Sequence, residues 1–330
     1  MKNNRIIKKI SLAILIISLV VFLLLGDTGY LAVFPGSAIL VEELVEVEGY
    51  PLQNGDFYLL TVSQQKASPV LFLYGLLSPK TDLYKREAVI PPDMDLEEYY
   101  ELSKEMMVNS QIKAKYVALK HLDYDVKITS EGVLVEGVLQ TGTAYGLLQE
   151  GDLILAIDGE EVFFDEQVIR EIRNKKIGES INIKINRDGK ILEIDVPVGV
   201  NQSSPETPAL GIWVRNKKLK LDSPLDIKIN TGNIGGPSAG IMFVLEIYNR
   251  LTAEDITSGL SIAGTGEIRW DGTIGPIGGM KQKVFAAEKK GADLLFCPVE
   301  NYPEAKRYAK KIEVIPVSSL EEVLDYLKNK

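Results

Sequence analysis

The stretch "NIGGPSAGIMFVL", residues 233–245, sets two glycines, a proline and a serine directly before an apolar run. Two readings compete. In the first, Ser238 is the N-cap of a buried helix, the commoner role of a serine placed there. In the second, its hydroxyl is a nucleophile at the mouth of that helix. Gly235 and Gly236 admit backbone conformations closed to other residues, so a sharp strand-to-helix turn can expose the hydroxyl. The start of the helix also directs free N–H groups and a partial positive charge at that spot, which suits an oxyanion.

A nucleophilic serine needs a base. The chain has one histidine, His121, and nothing around it suggests pairing with Ser238. The remaining candidate is lysine, and Ser-Lys pairs are a recognised variant of the triad logic. A lysine serves as a base only when burial or a nearby cation brings its pKa toward neutrality. The segment "GPIGGMKQKVFAAEKKGA", residues 275–292, offers Lys281 and Lys283 beside Met280, Val284 and Phe285. Two residues apart on a helix is roughly 200° around the axis, so at most one of them faces Ser238. The local pattern does not choose between them. On the bland reading both are solvated helix residues and Thr265 only satisfies a turn.

The bulk numbers exclude several classes. With 330 residues, 45% apolar and 25% charged, the chain is long enough for two or three units with cores, and ordered. A net charge of −9 argues against a nucleic-acid partner. A single cysteine, Cys297, precludes an intrachain disulfide and reads as a small buried hydrophobe. No metal site is expected: Asp152 and Asp158 read as turn formers, and nothing else supports Glu267 and Asp271 as a glycosidase pair. At the N-terminus, Lys2, Arg5, Lys8 and Lys9 precede the uncharged run Ile10–Gly26. The run is read as a retained single-pass anchor, with the basic segment cytoplasmic and the body extracytoplasmic. The competing reading is a signal peptide, but its A-x-A-like cleavage site is missing from "GDTGYLAVF".

Along the chain we expect a basic segment at 1–9, a transmembrane helix at 10–26 and an extracytoplasmic region at 27–115. There "GDFYLLTVS" and "SPVLFLYGLL" read as strands and 95–119 as a helix capped by Asp95 with Glu98. A mostly β unit follows at 116–200, with "SINIKINRDGKILEIDVPV" as a hairpin turning at Asp188-Gly189. The polar stretch at 201–209 reads as a linker, and 210–330 as alternating α and β.

Two resemblances attach to these motifs. The string "GVLVEGVLQTGTAYGLLQEGDLILAIDGEEV" resembles bacterial protease-associated PDZ domains. That implies capture of an extended peptide by strand addition, with a carboxylate loop near Leu122, Asp123 and Tyr124. The family usually has glycine there, and Asp123 is a departure. The ordered motifs "GGPSAGIMF", "GTGEIRWDGTIGPIGGMKQKVFAA" and "DLLFCPVEN" resemble the proteolytic domain of Lon-family serine peptidases. The resemblance implies an α/β (α+β) Lon-type fold, Ser238 as nucleophile and the second lysine of the G-G-x-K-x-K string, Lys283, as base. Thr265 would orient the lysine, with Gly236 and Pro237 supporting the turn. Ring-shaped homo-oligomers are also implied. The ATP-dependent members carry an acidic residue where Gly235 stands, and no G-x-x-x-x-G-K-[ST] string occurs in this sequence. The pattern is most similar to membrane-anchored, PDZ-containing Lon-like proteases of bacteria. An ATP-independent endopeptidase without cofactors, acting on unfolded or membrane-tethered proteins, is therefore expected. The alternative is a proteolytically inactive, surface-anchored peptide-binding scaffold.

Overall fold

A computed structural model of the chain describes residues 2–51, 53–91, 94–202 and 204–330. The chain divides into two compact units, one made of Met1–Tyr124 with Leu225–Lys330 and the other of Asp125–Pro224. The first unit begins with helix α1, Lys2–Leu25, whose stretch Ile7–Leu25 has a mean hydropathy of 2.5 and no buried side chain. That length and composition fit a membrane span and a signal sequence alike. The basic flank read at Lys2 and Arg5 falls on side chains outside the described residues.

Strand β1, Tyr30–Leu40, pairs antiparallel with β2, Asp56–Lys66, and on its other side with β3, Asp82–Lys85. Between β2 and β3 lies helix α2, Pro69–Leu77, so the expected strand "SPVLFLYGLL" is corrected to a helix. The reason is local. Ser68 accepts a hydrogen bond from the Leu71 amide, and Pro69, in the first turn, has no N–H to leave unsatisfied. Helix α3, Leu96–His121, opens with a reciprocal capping box, in which Asp95 accepts from the Glu98 amide and Glu98 accepts from the Asp95 amide. Its buried Met107, Ser110, Ala114, Val117 and Ala118 recur at helical spacing and face the core.

Among its described residues, the second unit is a main sheet, two short two-stranded sheets and one helix. Its strands are β4 (Gly132–Val138), β5 (Leu153–Ile157), β6 (Ser180–Arg187) and β7 (Lys190–Pro197), with helix α4 (Asp165–Asn174) before β6. In β6, Ile181, Ile183 and Ile185 are fully buried while their neighbours are not, the period of a half-buried strand. The β6–β7 turn places Asp188 and Gly189 at φ of 50° and 83°, the left-handed pair a two-residue hairpin turn requires. Within 201–209, expected as a linker, Asn201 and Ser204–Ala209 are instead strand residues, β8 (Gly199–Asn201) pairing antiparallel with β9 (Ser204–Ala209). Strand β10, Ile212–Lys217, then pairs antiparallel with β4 and becomes the sheet edge in the order β7-β6-β5-β4-β10. Leu210 is buried in this unit's core, and Ile212 and Val214 pack against it. Apolar burial, which a polar flank conceals, holds the segment there.

The first unit resumes with helix α5, Gly240–Leu251, and strand β11, Ser261–Gly264. Helix α6 (Met280–Lys290), strand β12 (Leu294–Pro298), helix α7 (Tyr302–Tyr308), strand β13 (Glu313–Val317) and helix α8 (Leu320–Lys328) complete it. Its sheet runs β13-β12-β11-β2-β1-β3, parallel from β13 to β2 and antiparallel beyond. Region 27–115 and region 225–330 thus share one sheet, joined where β2 lies beside β11. Helix α5 is apolar and buried nearly all round, as a central helix must be. Cys297 on β12 is fully buried, and its thiol is pushed up to about 12 by desolvation.

Candidate active site

The turn into α5 has no room for ordinary residues. Gly236 sits at φ 86° and its N–H donates to the Ser103 carbonyl of α3 at 2.7 Å. A side chain on Gly235 would bring its Cβ to 2.5 Å from the Ser103 hydroxyl, which accounts for a glycine at this position. Ser110, also on α3, donates to the Pro237 carbonyl at 3.0 Å. Helix α3 therefore grips the peptide units on both sides of Pro237. Gly240 completes the approach, since a Cβ there would lie 2.6 Å from Ile268 and 2.9 Å from Ser110.

Ser238 is half-buried at the end of this turn, and its hydroxyl does not cap α5, whose N-cap is Ala239 with no side-chain bond. It meets Lys283 instead, with Nζ 2.8 Å from Oγ. Lys283 Nζ is also 2.8 Å from the Thr265 hydroxyl. Thr265, fully buried at the end of β11, donates its own proton to the Ser238 carbonyl at 3.0 Å. A hydroxyl has one proton, so Thr265 presents only lone pairs to the amine. A neutral amine can then donate to Thr265 and keep its own lone pair for the Ser238 O–H. The Ser238 carbonyl accepts a second bond from the Gly266 amide at 2.8 Å, which ties the turn to β11.

The two lysines of α6 have different surroundings. Lys281 is buried but paired with Asp82 and donates to the Thr81 carbonyl at 3.3 Å. Lys283 is 3% exposed, and desolvation alone brings its pKa down to about 7. Gly279, at φ 70°, starts α6 close enough to β2 that a Cβ would lie 2.8 Å from Val62, and its carbonyl accepts from the Lys283 amide. Ser238 and Lys283 open onto a cleft of about 820 Å³, bordered by Val33 and Val62 of the sheet, Tyr99 and Met107 of α3, and Ile277. The α3 contributions, Ser103 and Ser110, were not legible in the sequence, for no local pattern links a serine on one helix to a turn more than a hundred residues away.

Leu122, Asp123 and Tyr124 end α3 in the first unit, with Asp123 left-handed at φ 60° and the Tyr124 amide donating to the Leu119 carbonyl. Asp123 is thus a helix terminator, a role its short polar side chain tolerates. The second unit also holds a groove of its own. About 530 Å³ is enclosed by Val168, Ile169, Ile172 and Arg173 of α4 on one side and Leu210–Val214 on the other.

The family model of the Lon protease (S16) C-terminal proteolytic domain matches residues 215–329, and that of the PDZ domain matches residues 116–198. Lon protease 2 of Bacillus subtilis is 38% identical over 106 residues, which are 31% of this chain and 19% of that protein. The Lon protease of Aster yellows witches'-broom phytoplasma is 40% identical over 94 residues, 27% of this chain and 11% of its own length. That of Buchnera aphidicola (subsp. Acyrthosiphon pisum) is 25% identical over 225 residues, 67% of this chain and 26% of its own. The chain thus spans about a quarter or less of these curated relatives. Among solved structures, the PDZ domain of an SdrC-like protein from Listeria innocua is 32% identical, covering 26% of this chain and 93% of that one, with a TM-score of 0.24. Residues 215–329 are thus similar to the Lon-type proteolytic domain and residues 116–198 to the PDZ domain.

Proposed function

We propose that this chain is a membrane-anchored, ATP-independent serine endopeptidase in which Ser238 is the nucleophile and Lys283 the general base. One observation carries the reading: an amine with no ion-pair partner among the described residues lies 2.8 Å from a half-buried serine hydroxyl, and burial lowers its pKa to about 7. Neutral Lys283 takes the Ser238 proton as Oγ attacks a peptide carbonyl. The resulting ammonium, still held by Thr265, returns that proton to the leaving amine, and water then cleaves the acyl-enzyme. The amides of Gly236, Gly240 and Ile241 are committed to the carbonyls of Ser103, Pro237 and Gly266. We therefore assign the oxyanion to the amides of Ser238 and Ala239.

ATP independence is proposed because the segment that precedes the Lon-type match is the PDZ match, residues 116–198, and contains no P-loop string. Residues 10–26 serve as the anchor, with the body extracytoplasmic, so substrates are unfolded or membrane-tethered proteins. The PDZ unit takes an extended peptide in the groove between α4 and the edge strand β10. Turnover of a fluorescent casein by the wild type and the Ser238→Ala, Lys283→Ala and Lys281→Ala variants tests the assignment. Loss of on the order of a thousandfold or more is expected in the first two, with activity kept in the third. An active Lys283→Ala variant rejects Lys283 as base, and a wild type that neither turns over casein nor takes a serine-reactive probe leaves the scaffold reading.

A further inference from the structure

Helix α2 is the least expected surface of the first unit. The run from Ala67 to Pro79, "ASPVLFLYGLLSP", contains no charge. Only Gly75 of the helix is buried, while Leu73, Leu76 and Leu77 are 57%, 64% and 84% exposed and Val70 and Tyr74 are also exposed. The inward face is set by contact. A Cβ on Gly75 would lie 2.8 Å from Leu83 of β3, and Phe72 packs edge-on against Tyr30 with ring centroids 4.9 Å apart. A contiguous apolar surface of this kind on a folded unit marks an interaction site.

What covers it is indicated by where it lies. Tyr30 pairs with Lys85 and Leu31 with Lys66, so the start of β1 and the ends of β2 and β3 share one end of the sheet. Helix α1 enters at that end, and α2 starts there and packs beside α1. The connection is stitched. The Thr28 amide and hydroxyl both donate to the Ala67 carbonyl, the Arg86 amide donates to the Gly29 carbonyl at 2.9 Å, and Arg86 pairs with Asp27. The exposed amines of Lys66 and Lys85 belong to the same end, where they can meet anionic headgroups. At nine residues, α2 is about 14 Å long, far short of a span. It is suited to lie in the plane of the interface with Tyr74 at headgroup level.

We propose that α2 is a second membrane contact, embedded in the bilayer surface at the point where α1 leaves it. This rests on reading α1 as an anchor. Tyr84, which borders the candidate cleft, pairs with Leu31 at this same end of the sheet, so the cleft is held near chains emerging from the same bilayer.

The test uses the full-length chain in vesicles of phosphatidylglycerol and phosphatidylethanolamine. Leu73→Cys or Leu77→Cys carries a polarity-sensitive thiol fluorophore; the native Cys297 is fully buried. Lys289→Cys is the control, because the neighbouring Lys290 covers Tyr58 at the far end of β2. The expected result is blue-shifted emission at 73 and 77, lost with doxyl-labelled lipid and retained with aqueous iodide, and the reverse at 289. Vesicle-bound protein whose α2 probes are quenched by iodide overturns the proposal and leaves the anchor standing. Probes reached by neither quencher also overturn it, in favour of a second copy or another protein on α2. A chain that does not float with vesicles after a carbonate wash removes the anchor reading and the proposal with it.

Discussion

At the scale of the residue, the proposed chemistry turns on how Lys283 is held. Its amine is buried without a carboxylate, and the Thr265 proton is committed to the Ser238 carbonyl, so the neutral amine is the form the site accommodates. Two consequences are measurable. Turnover should rise with pH and level off above about 7, falling about tenfold per pH unit below it, as read from a pH–rate profile of kcat/KM. The second concerns stability. Folding lowers the Lys283 pKa from 10.5 to about 7, so between these values the unfolded chain binds the proton more tightly and stability rises with pH. Below 7 the buried ammonium costs roughly 5 kcal/mol, and above 10.5 nothing. Lys283→Met should therefore melt higher than the wild type in mildly acidic buffer. The gap should close as pH approaches 10.5, as followed by circular dichroism.

At the scale of the element, α3 is the part that holds the turn. Its own sequence declares a helix, through the Asp95–Glu98 capping box and the apolar spacing that follows. What it does for the site is a matter of packing. Ser103 accepts from the Gly236 amide and Ser110 donates to the Pro237 carbonyl, so the helix fixes the peptide groups that aim Ser238. Gly235→Asp tests this grip. Its Cβ would fall 2.5 Å from the Ser103 hydroxyl, and overpacking of this kind costs about 1–3 kcal/mol. The variant should lose stability and turnover together, and Ser103→Gly in the same chain should restore part of both. Helix α2 shows the opposite case. Its apolar run carries no helical period, because most of it faces outward, and only the Ser68-Pro69 start distinguishes it from a strand.

At the scale of the whole molecule, both units include chain from beyond the motif-bearing segments. The PDZ match ends at residue 198, yet β10 supplies the edge of that unit's sheet and Leu210 is 2% exposed in its core. A fragment of residues 125–198 should melt lower than one of residues 125–224 by about 10 °C or more, since it loses a buried leucine and bares the edge of β4. Differential scanning calorimetry of the two fragments decides it. The other unit draws β1, β2 and α3 from the first 124 residues and α5, β11 and α6 from the last 106, on the two sides of the second unit's sequence.

How much could be read beforehand follows from the range of each interaction. The hairpin at Asp188-Gly189, the α3 cap and the apolar α5 rest on backbone preferences and side-chain periods within a dozen residues, and sequence alone determined them. Ser238, Thr265 and Lys283 stood out because their motifs survive as short strings. Nothing local separates the surroundings of the two lysines, for Lys281 pairs with Asp82, about two hundred residues earlier in the chain. The same holds for the grip of α3 on the turn, the strand that follows an apparent linker, and Asp123 as the end of α3. Only the tertiary structure decided these, because each depends on desolvation or close packing between segments that meet only once the chain has folded.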